Sequence, residues 1–169
     1  APAAWDANKA GGGYTFSADS MTVIAQSTAG YQSCPATGQL TAADKVYWEV
    51  VYNSGTYVWA GVAPPTADFS LSPALIGVCF AFHNGRRWNA QTGGGTNWIT
   101  STPVGTVVGF AWNGPAGTLT IYRNGVLAGM LPYTITAPVM PYIGSQYACT
   151  LTLKAAANAW TYSPPDGTY

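Results

Sequence analysis

A chain of 169 residues whose six basic and six acidic side chains cancel has no net charge with which to hold a phosphate backbone. Its basic residues are scattered apart from Arg86 and Arg87, so nucleic acid is not an expected partner. Charged residues make up 7% and aromatics 14%, which excludes a disordered chain because apolar surface is plentiful and charge runs are missing. The longest apolar run, "ALIGVCFAF" at 74–82, is far short of the roughly 18 residues that cross a bilayer, and no membrane insertion is expected. The length suits one domain over 1–169 with a sizeable core. An opening "APAAWD" without initiator Met or apolar signal core reads as a mature, processed or excised piece.

In chain order the predicted elements are strands. "GYTFS" (13–17), "MTVIAQ" (21–26), "KVYWEVVYN" (45–53), "YVWAGVA" (57–63) and "GVCFAFH" (77–83) are rich in β-branched and aromatic residues. "RRWNAQ" (86–91), "GTVVGFAWN" (105–113), "GTLTIYRN" (117–124), "GVLAGML" (125–131), "VMPYIG" (139–144) and "YACTLTL" (147–153) continue the series. No stretch of a dozen residues carries helical apolar spacing. About a dozen short strands with frequent turn residues predict an antiparallel sandwich or barrel. Asn124-Gly125 between two alternating runs predicts a two-residue type I′ hairpin, with Leu119, Ile121 and Leu127 facing the core and Thr118, Thr120 and Tyr122 facing away. Two longer connections, "PPTADFSLSP" (64–73) and "GGGTNWITSTP" (93–103), are expected as loops, the usual carriers of recognition on a rigid scaffold.

"KVYWEVVYNSGTYVWAGVA", "IGVCFAF", "VGTVVGFAWNGPAGTLTIYRNGVLAG", "MPYIGSQYACTLTL" and an aromatic tail "WTYSPPDG" together resemble a SPRY (B30.2-type, PRY-SPRY-like) domain. Trp48, Glu49 and Val50 match the family's W-E-V strand, and Ala60 to Ala63 its V-G-V-A strand. Gly105, Val108, Gly109 and Gly117 to Gly125 match its V-G…G-T-L…N-G stretch. Upstream, "WDANKAGGGYTFSADSMTV" is similar to the segment that precedes SPRY in many members. "FAWNG" stands where the family has an acidic L-D-Y-E, and "EVV" lacks the second glutamate of W-E-V-E. The resemblance implies an all-β, antiparallel two-sheet β-sandwich of SPRY or concanavalin-like jelly-roll type. It also implies peptide binding by end loops, here Ala25 to Tyr31, Ala67 to Leu75 and Gly144 to Ala148. The charge-poor composition is more like SPRY-type modules on bacterial-virus particles or bacterial surface proteins.

Candidate chemistry is sparse. Glu49 is the only glutamate, and a glycosidase needs two carboxylates about 5 to 9.5 Å apart. Glu49 is therefore expected to be a framework residue that pairs with Arg86 or Arg87, or caps backbone N–H groups of a crossing loop. It projects away from the face that Trp48, Val50 and Tyr52 share. A lone His83, more often structural than catalytic, lacks a nucleophile motif beside it, and neither glycine run, 11–13 or 93–95, has the Lys-Ser/Thr of a P-loop. Five scattered Asp suit no calcium site and a single His no zinc site, so no cofactor is expected. Cys34, Cys79 and Cys149 allow at most one disulfide and are expected as buried thiols.

What remains is aromatic and amide side chains. Gln26, Tyr31, Phe69, Leu71, Trp88, Trp98, Gln146 and Tyr147 are the candidate ligand-binding residues, since Trp and Tyr grip proteins and, beside amides, sugar rings. Trp88 and Trp98 weigh evenly between packing and binding, while Trp48, Trp59 and Trp112 are assigned to packing. Trp48, Glu49, Asn124 and Gly125 are the candidate structural residues. The expected protein is a non-catalytic module binding a protein or glycan, on an extracellular or virion surface for decoration or receptor attachment, as a possible homo-oligomer or part of a larger chain or particle. Alternatives are a cytoplasmic peptide-binding adaptor, a structural cement protein and, last, a glycan-active enzyme.

Overall fold

The computed structural model describes residues 1–27, 30–164, 167 and 169. Thr28 and Ala29 of the end loop Ala25 to Tyr31, and Pro165 and Asp166 of the aromatic tail, lie outside the described residues. The strands are β1 (Tyr14–Phe16), β2 (Thr22–Ala25), β3 (Gln32–Pro35), β4 (Lys45–Ala63), β5 (Val78–Ala81) and β6 (Arg86–Asn89). They continue with β7 (Gly93–Asn97), β8 (Val107–Asn113), β9 (Thr118–Arg123), β10 (Val126–Met130) and β11 (Met140–Lys154).

Every strand pairing is antiparallel, and two long strands organise them. The first half of β4 pairs with β8, and β8 leads on through β9 to β10. The second half of β11 lies between that part of β4 and β2, with β1 outside. The second half of β4 pairs instead with β5, and β6 and β7 follow. The first half of β11 lies between it and β3. Two layers result, and β4 and β11 pass together from one into the other.

The crossing point corrects one expectation. Residues 45–53 and 57–63 are predicted as separate strands across a turn, yet they form one strand. Gly55 (φ 141) opens the ladder where β11 bulges between Gln146 and Cys149. A Cβ on Gly55 would stand 2.8 Å from that of Cys149. Both strands can therefore bend side by side, and neither needs to reverse. Residues 139–144 and 147–153 fuse into β11 for the same reason. β3 was not foreseen in "QSCP", and β7 occupies part of a stretch predicted to be a loop. There Gly94 brings the β7 backbone flat against Trp88, with the indole 2.7 Å from where its Cβ would be.

The Asn124-Gly125 hairpin forms as its sequence requires, with φ of 49° and 78°, and Asn124 Oδ1 accepts from Val107 N at 2.9 Å. Leu119 and Ile121 are buried, but Leu127 is 62% exposed. Leu127 pairs directly with Tyr122 across the two-residue turn and so shares the face turned away from Leu119 and Ile121; the register shift comes only after it.

Between the layers the core is aromatic. Trp48 lies parallel to Phe110 at 5.2 Å, and Phe80 packs on both Phe82 and Phe110. Trp112 is fully buried with its Nε1 donating to Thr41 O. A smaller cluster, which includes Trp59, Phe69, Cys79 and Tyr142, lies on the outer face of the second layer. Gly144 lets Pro73 sit directly on the sheet there, and Tyr142 Oη donates to Pro73 O at 2.7 Å. All three cysteines are buried and unpaired. Burial pushes the Cys79 thiol up to about 12, and raises those of Cys34 and Cys149 as well.

Candidate recognition site

Tyr57 and Trp59 lie two residues apart on β4 and so share a face, the outer one of the second layer. Around Trp59 the chain assembles a continuous aromatic patch. Tyr31 is 5.7 Å from it, His83 5.0 Å and Trp88 6.3 Å, ring centre to ring centre. Tyr57 extends the patch, with His83 at 4.8 Å and Tyr147 at 6.0 Å. Trp59 is nearly buried, whereas Tyr31, Tyr57 and Tyr147 are 50%, 37% and 48% exposed. Tilted and edge-to-face contacts of this kind hold the rings in place. The result is a preformed apolar surface rimmed by hydroxyls.

Tyr147 adds a sign of strain. It has φ 66 within the β11 bulge, a left-handed conformation that is an outlier for a bulky L-residue. The bulge removes Tyr147 from the ladder and turns its ring outward beside Tyr57. Two polar atoms of the patch, Trp59 Nε1 and His83 Nδ1, are buried without a hydrogen-bond partner.

The sequence-derived candidates divide accordingly. Tyr31, Trp88 and Tyr147 belong to the patch, and Gln146 pairs with Tyr57 across β11 and β4. Gln26 is exposed one residue beyond Ala25, which pairs with Cys149 at the bulge. Leu71 is 43% exposed, and its carbonyl accepts from Ser33 Oγ at 2.9 Å, which fastens it to β3 two residues from Tyr31. Two candidates lie elsewhere. Phe69 is 3% exposed, packed 6.3 Å from Tyr142 under its own loop. Trp98 packs 5.6 Å from Phe80 on the main core, in space that the missing side chain of Gly129 leaves. Sequence reasoning passed over Tyr57, Trp59 and His83. Tyr57 and Trp59 resemble core positions, and only the outward face of β4, which covers no second sheet, distinguishes them; His83 comes from the turn between β5 and β6 and joins them only through the fold.

His83 gives the patch a pH-dependent member. Burial lowers its imidazole below the ordinary 6.5. A group whose folded value is depressed contributes stability that is present above the unfolded value and lost as pH falls through the folded one. The melting temperature is therefore expected to drop between pH 7 and 5, and His83→Gln to flatten that drop; superimposable profiles in thermal melts would contradict it. Asp19, Asp44 and Asp68 act lower. Hydrogen bonds from Ser17, from the Thr41 backbone and from Ser70 hold their carboxyls below 3.8, so their contributions go only in stronger acid.

Glu49 lies on the outer face of the first layer and is fully buried. Residues 155–162 cross over it. Its Oε2 accepts from Thr161 N at 2.7 Å and its Oε1 from Tyr162 N at 2.8 Å, with Tyr47 Oη donating to Oε1 at 3.2 Å. Burial first, then the carboxylate, pushes the Tyr47 phenol upward. The guanidinium pairing expected for Glu49 does not form, because β6 carries Arg86 and Arg87 in the other layer. Arg87 lies instead over the Tyr133 ring at 5.5 Å. Both oxygens of Glu49 are thus engaged by peptide N–H groups. Asp6, Asp19, Asp44 and Asp68 each accept from residues of their own turns. Among the described residues no three His, Cys, Asp or Glu side chains gather as metal ligands.

The sequence matches no protein-family model and no curated protein. Solved structures are similar in fold. A human SPRY domain superposes with a TM-score of 0.71 at 15% identity, covering 86% of this chain and 96% of that one. The SPRY domain of human HERC1 gives 0.72 at 14%, covering 90% and 98%. Stonustoxin gives 0.72 at 17%, covering 90% of this chain and 27% of the toxin. The two-layer sheet, its crossing strands and these superpositions agree: the chain has the antiparallel β-sandwich fold of SPRY domains.

Proposed function

We propose that this chain is a non-catalytic recognition module that binds a protein or glycan ligand on the aromatic patch around Trp59. The observation that carries the reading is the juxtaposition of three part-exposed tyrosines about a fixed indole, one of them held at φ 66. Rigid aromatics give large contact area at little entropic cost, and backbone strain persists where the surroundings over-determine it. The SPRY-type fold, a fold of protein-interaction modules, supports the same reading. Against turnover stand a Glu49 whose oxygens hold peptide N–H groups and aspartates that fasten their own turns. The charge-poor composition supports a setting on a virion or extracellular surface.

The test is a peptide and glycan array on the purified chain, followed by titration of the best ligand. Trp59→Ala and Tyr147→Gly are expected to weaken binding at least tenfold, about 1.4 kcal/mol or more, while Trp98→Ala retains it. Tyr147→Gly also relieves the positive φ, so its loss of binding comes without a comparable loss of stability. Unchanged affinity in both patch variants would remove the patch as the site.

A further inference from the structure

The second layer ends in a pocket between the two layers that recognition at Trp59 does not use. Val62 stands on β4 five residues beyond Tyr57, about 17 Å along the strand, and faces the opposite side of the sheet from Trp59. Val62 and Val78, paired across β4 and β5, form one wall. Ile135 and Val139, from the segment that leads into β11, form the other. All four are buried. Ala90 N donates to Gly77 O at 3.0 Å, which carries the β5–β6 pairing past Asn89. Opposite, Ile135 N donates to Gly117 O at 2.8 Å, and Val139 exchanges two backbone hydrogen bonds with Leu40. Both walls are thus fixed, and the cavity between them has a volume of about 100 Å³.

An engineered apolar cavity of about 150 Å³ accepts the six carbons of benzene. In proportion, about 100 Å³ takes about four carbons, the side chain of one leucine or isoleucine, and is too small for a sugar ring or a cofactor. The mouth has a different chemistry. Asn89 Oδ1 accepts from Gln91 N at 3.0 Å, and among the described residues its Nδ2 hydrogens are unused. Gln91 and Thr136 line the mouth as exposed residues, and among the described residues their side chains make no hydrogen bond. Neutral donors and acceptors therefore surround an apolar floor, and no ionisable side chain lines the pocket. Beside it Leu75 is 66% exposed, next to the lining residue Ile76, so apolar surface continues outside the pocket. A free hydrocarbon would use only the floor. A peptide uses the whole arrangement, because its apolar side chain is flanked by amide N–H and C=O groups that need neutral partners.

We propose that this pocket receives one branched aliphatic side chain, leucine or isoleucine, of an extended peptide segment, whose flanking amides bond to Asn89, Gln91 and Thr136 while a neighbouring residue covers Leu75. This is a second recognition site, on the other side of the layer from the Trp59 patch.

The probe is N-acetyl-leucine N-methylamide, which presents one isobutyl group between two peptide groups. It is titrated into the full chain while the methyl resonances of Val62, Val78 and Val139 are followed by NMR. Saturable shifts of these methyls are expected. The phenylalanine and glutamate analogues are expected to bind at least fivefold more weakly, since the ring exceeds the volume and the carboxylate meets no cation. Ala90→Trp, at an exposed position of the lining, is expected to close the mouth and abolish the shifts. The double variant Gln91→Ala with Thr136→Ala leaves the floor untouched and is expected to weaken binding at least threefold. Tyr147→Gly, in the Trp59 patch, leaves the shifts unchanged, which separates the two sites. Absence of saturable shifts, equal binding of the glutamate analogue, or undiminished binding in the double variant would overturn the proposal. Isobutanol binding as tightly as the blocked leucine would overturn it too, because the pocket would then be a packing gap that reads no peptide.

Discussion

Trp48→Ala is expected to destabilise the chain by about 3 to 5 kcal/mol, the range for deleting a large aromatic from a packed core. Trp48 is 2% exposed and stacks within 5° of parallel on Phe110, which in turn touches Phe80. Its strand is bonded on both sides, to β8 and to β11, so the backbone cannot collapse into the space vacated. Cavity and lost transfer energy then add. For a chain of this size each kcal/mol moves the melting temperature by about 2 to 4 °C, so a thermal melt should fall by about 6 to 20 °C. A fall under about 3 °C would mean that the two layers close up over the gap, and that the sandwich is less rigidly spaced than its double-bonded central strands imply.

Glu49→Ala is expected to cost about 3 kcal/mol: hydrogen bonds to a charged group contribute roughly 1.5 to 3 each, but the loss is reduced because residues 155–162 lift away and their two peptide donors return to water. Thr161 N, Tyr162 N and Tyr47 Oη all lose their acceptor. The damage should be local. With that latch gone residues 155–162 separate from Tyr47, and Trp160 becomes accessible to a fluorescence quencher while the other tryptophans keep their protection. Ligand binding at the Trp59 patch, in the other layer, is expected to survive. An unchanged melting temperature with Trp160 still protected would show that the contacts of the Trp160 ring with Tyr47 and of the Tyr162 ring with Gly125 hold residues 155–162 by themselves.

The β9 core positions and the Trp59 patch differ in the range of the information that places them. Leu119 and Ile121 could be placed inward from alternation alone, because strand geometry has a period of two whatever the partner. The Asn124-Gly125 turn was equally legible, since positive φ at adjacent positions is a property of those residue types. For the same reason the all-β class and the inward face of Trp48, Val50 and Tyr52 could be read from order and type of residue. Leu127 was misplaced because the same two-residue turn sets it opposite Tyr122, on the face turned away from Leu119 and Ile121.

The site divides along the same line. The resemblance singled out Tyr31, Gln146 and Tyr147, and glycine-rich neighbours singled out Trp88, but the end loop expected over Gly144 to Ala148 is part of strand β11, bulged at Tyr147. Trp59 and Tyr57 were not singled out, because a strand buried on its inner face shows the same residue types whether its outer face meets a second layer or solvent. Glu49 was legible as a framework residue, but which groups it caps depended on where residues 155–162 come to rest, more than a hundred positions later. Short-range stereochemistry, then, is encoded residue by residue: strand periodicity, turn chirality and apolar content. Which faces are covered, where β4 and β11 cross between layers, and which aromatics are left on the surface are settled only when distant segments compete for the same sheet, since burial is a property of neighbours that local sequence does not contain.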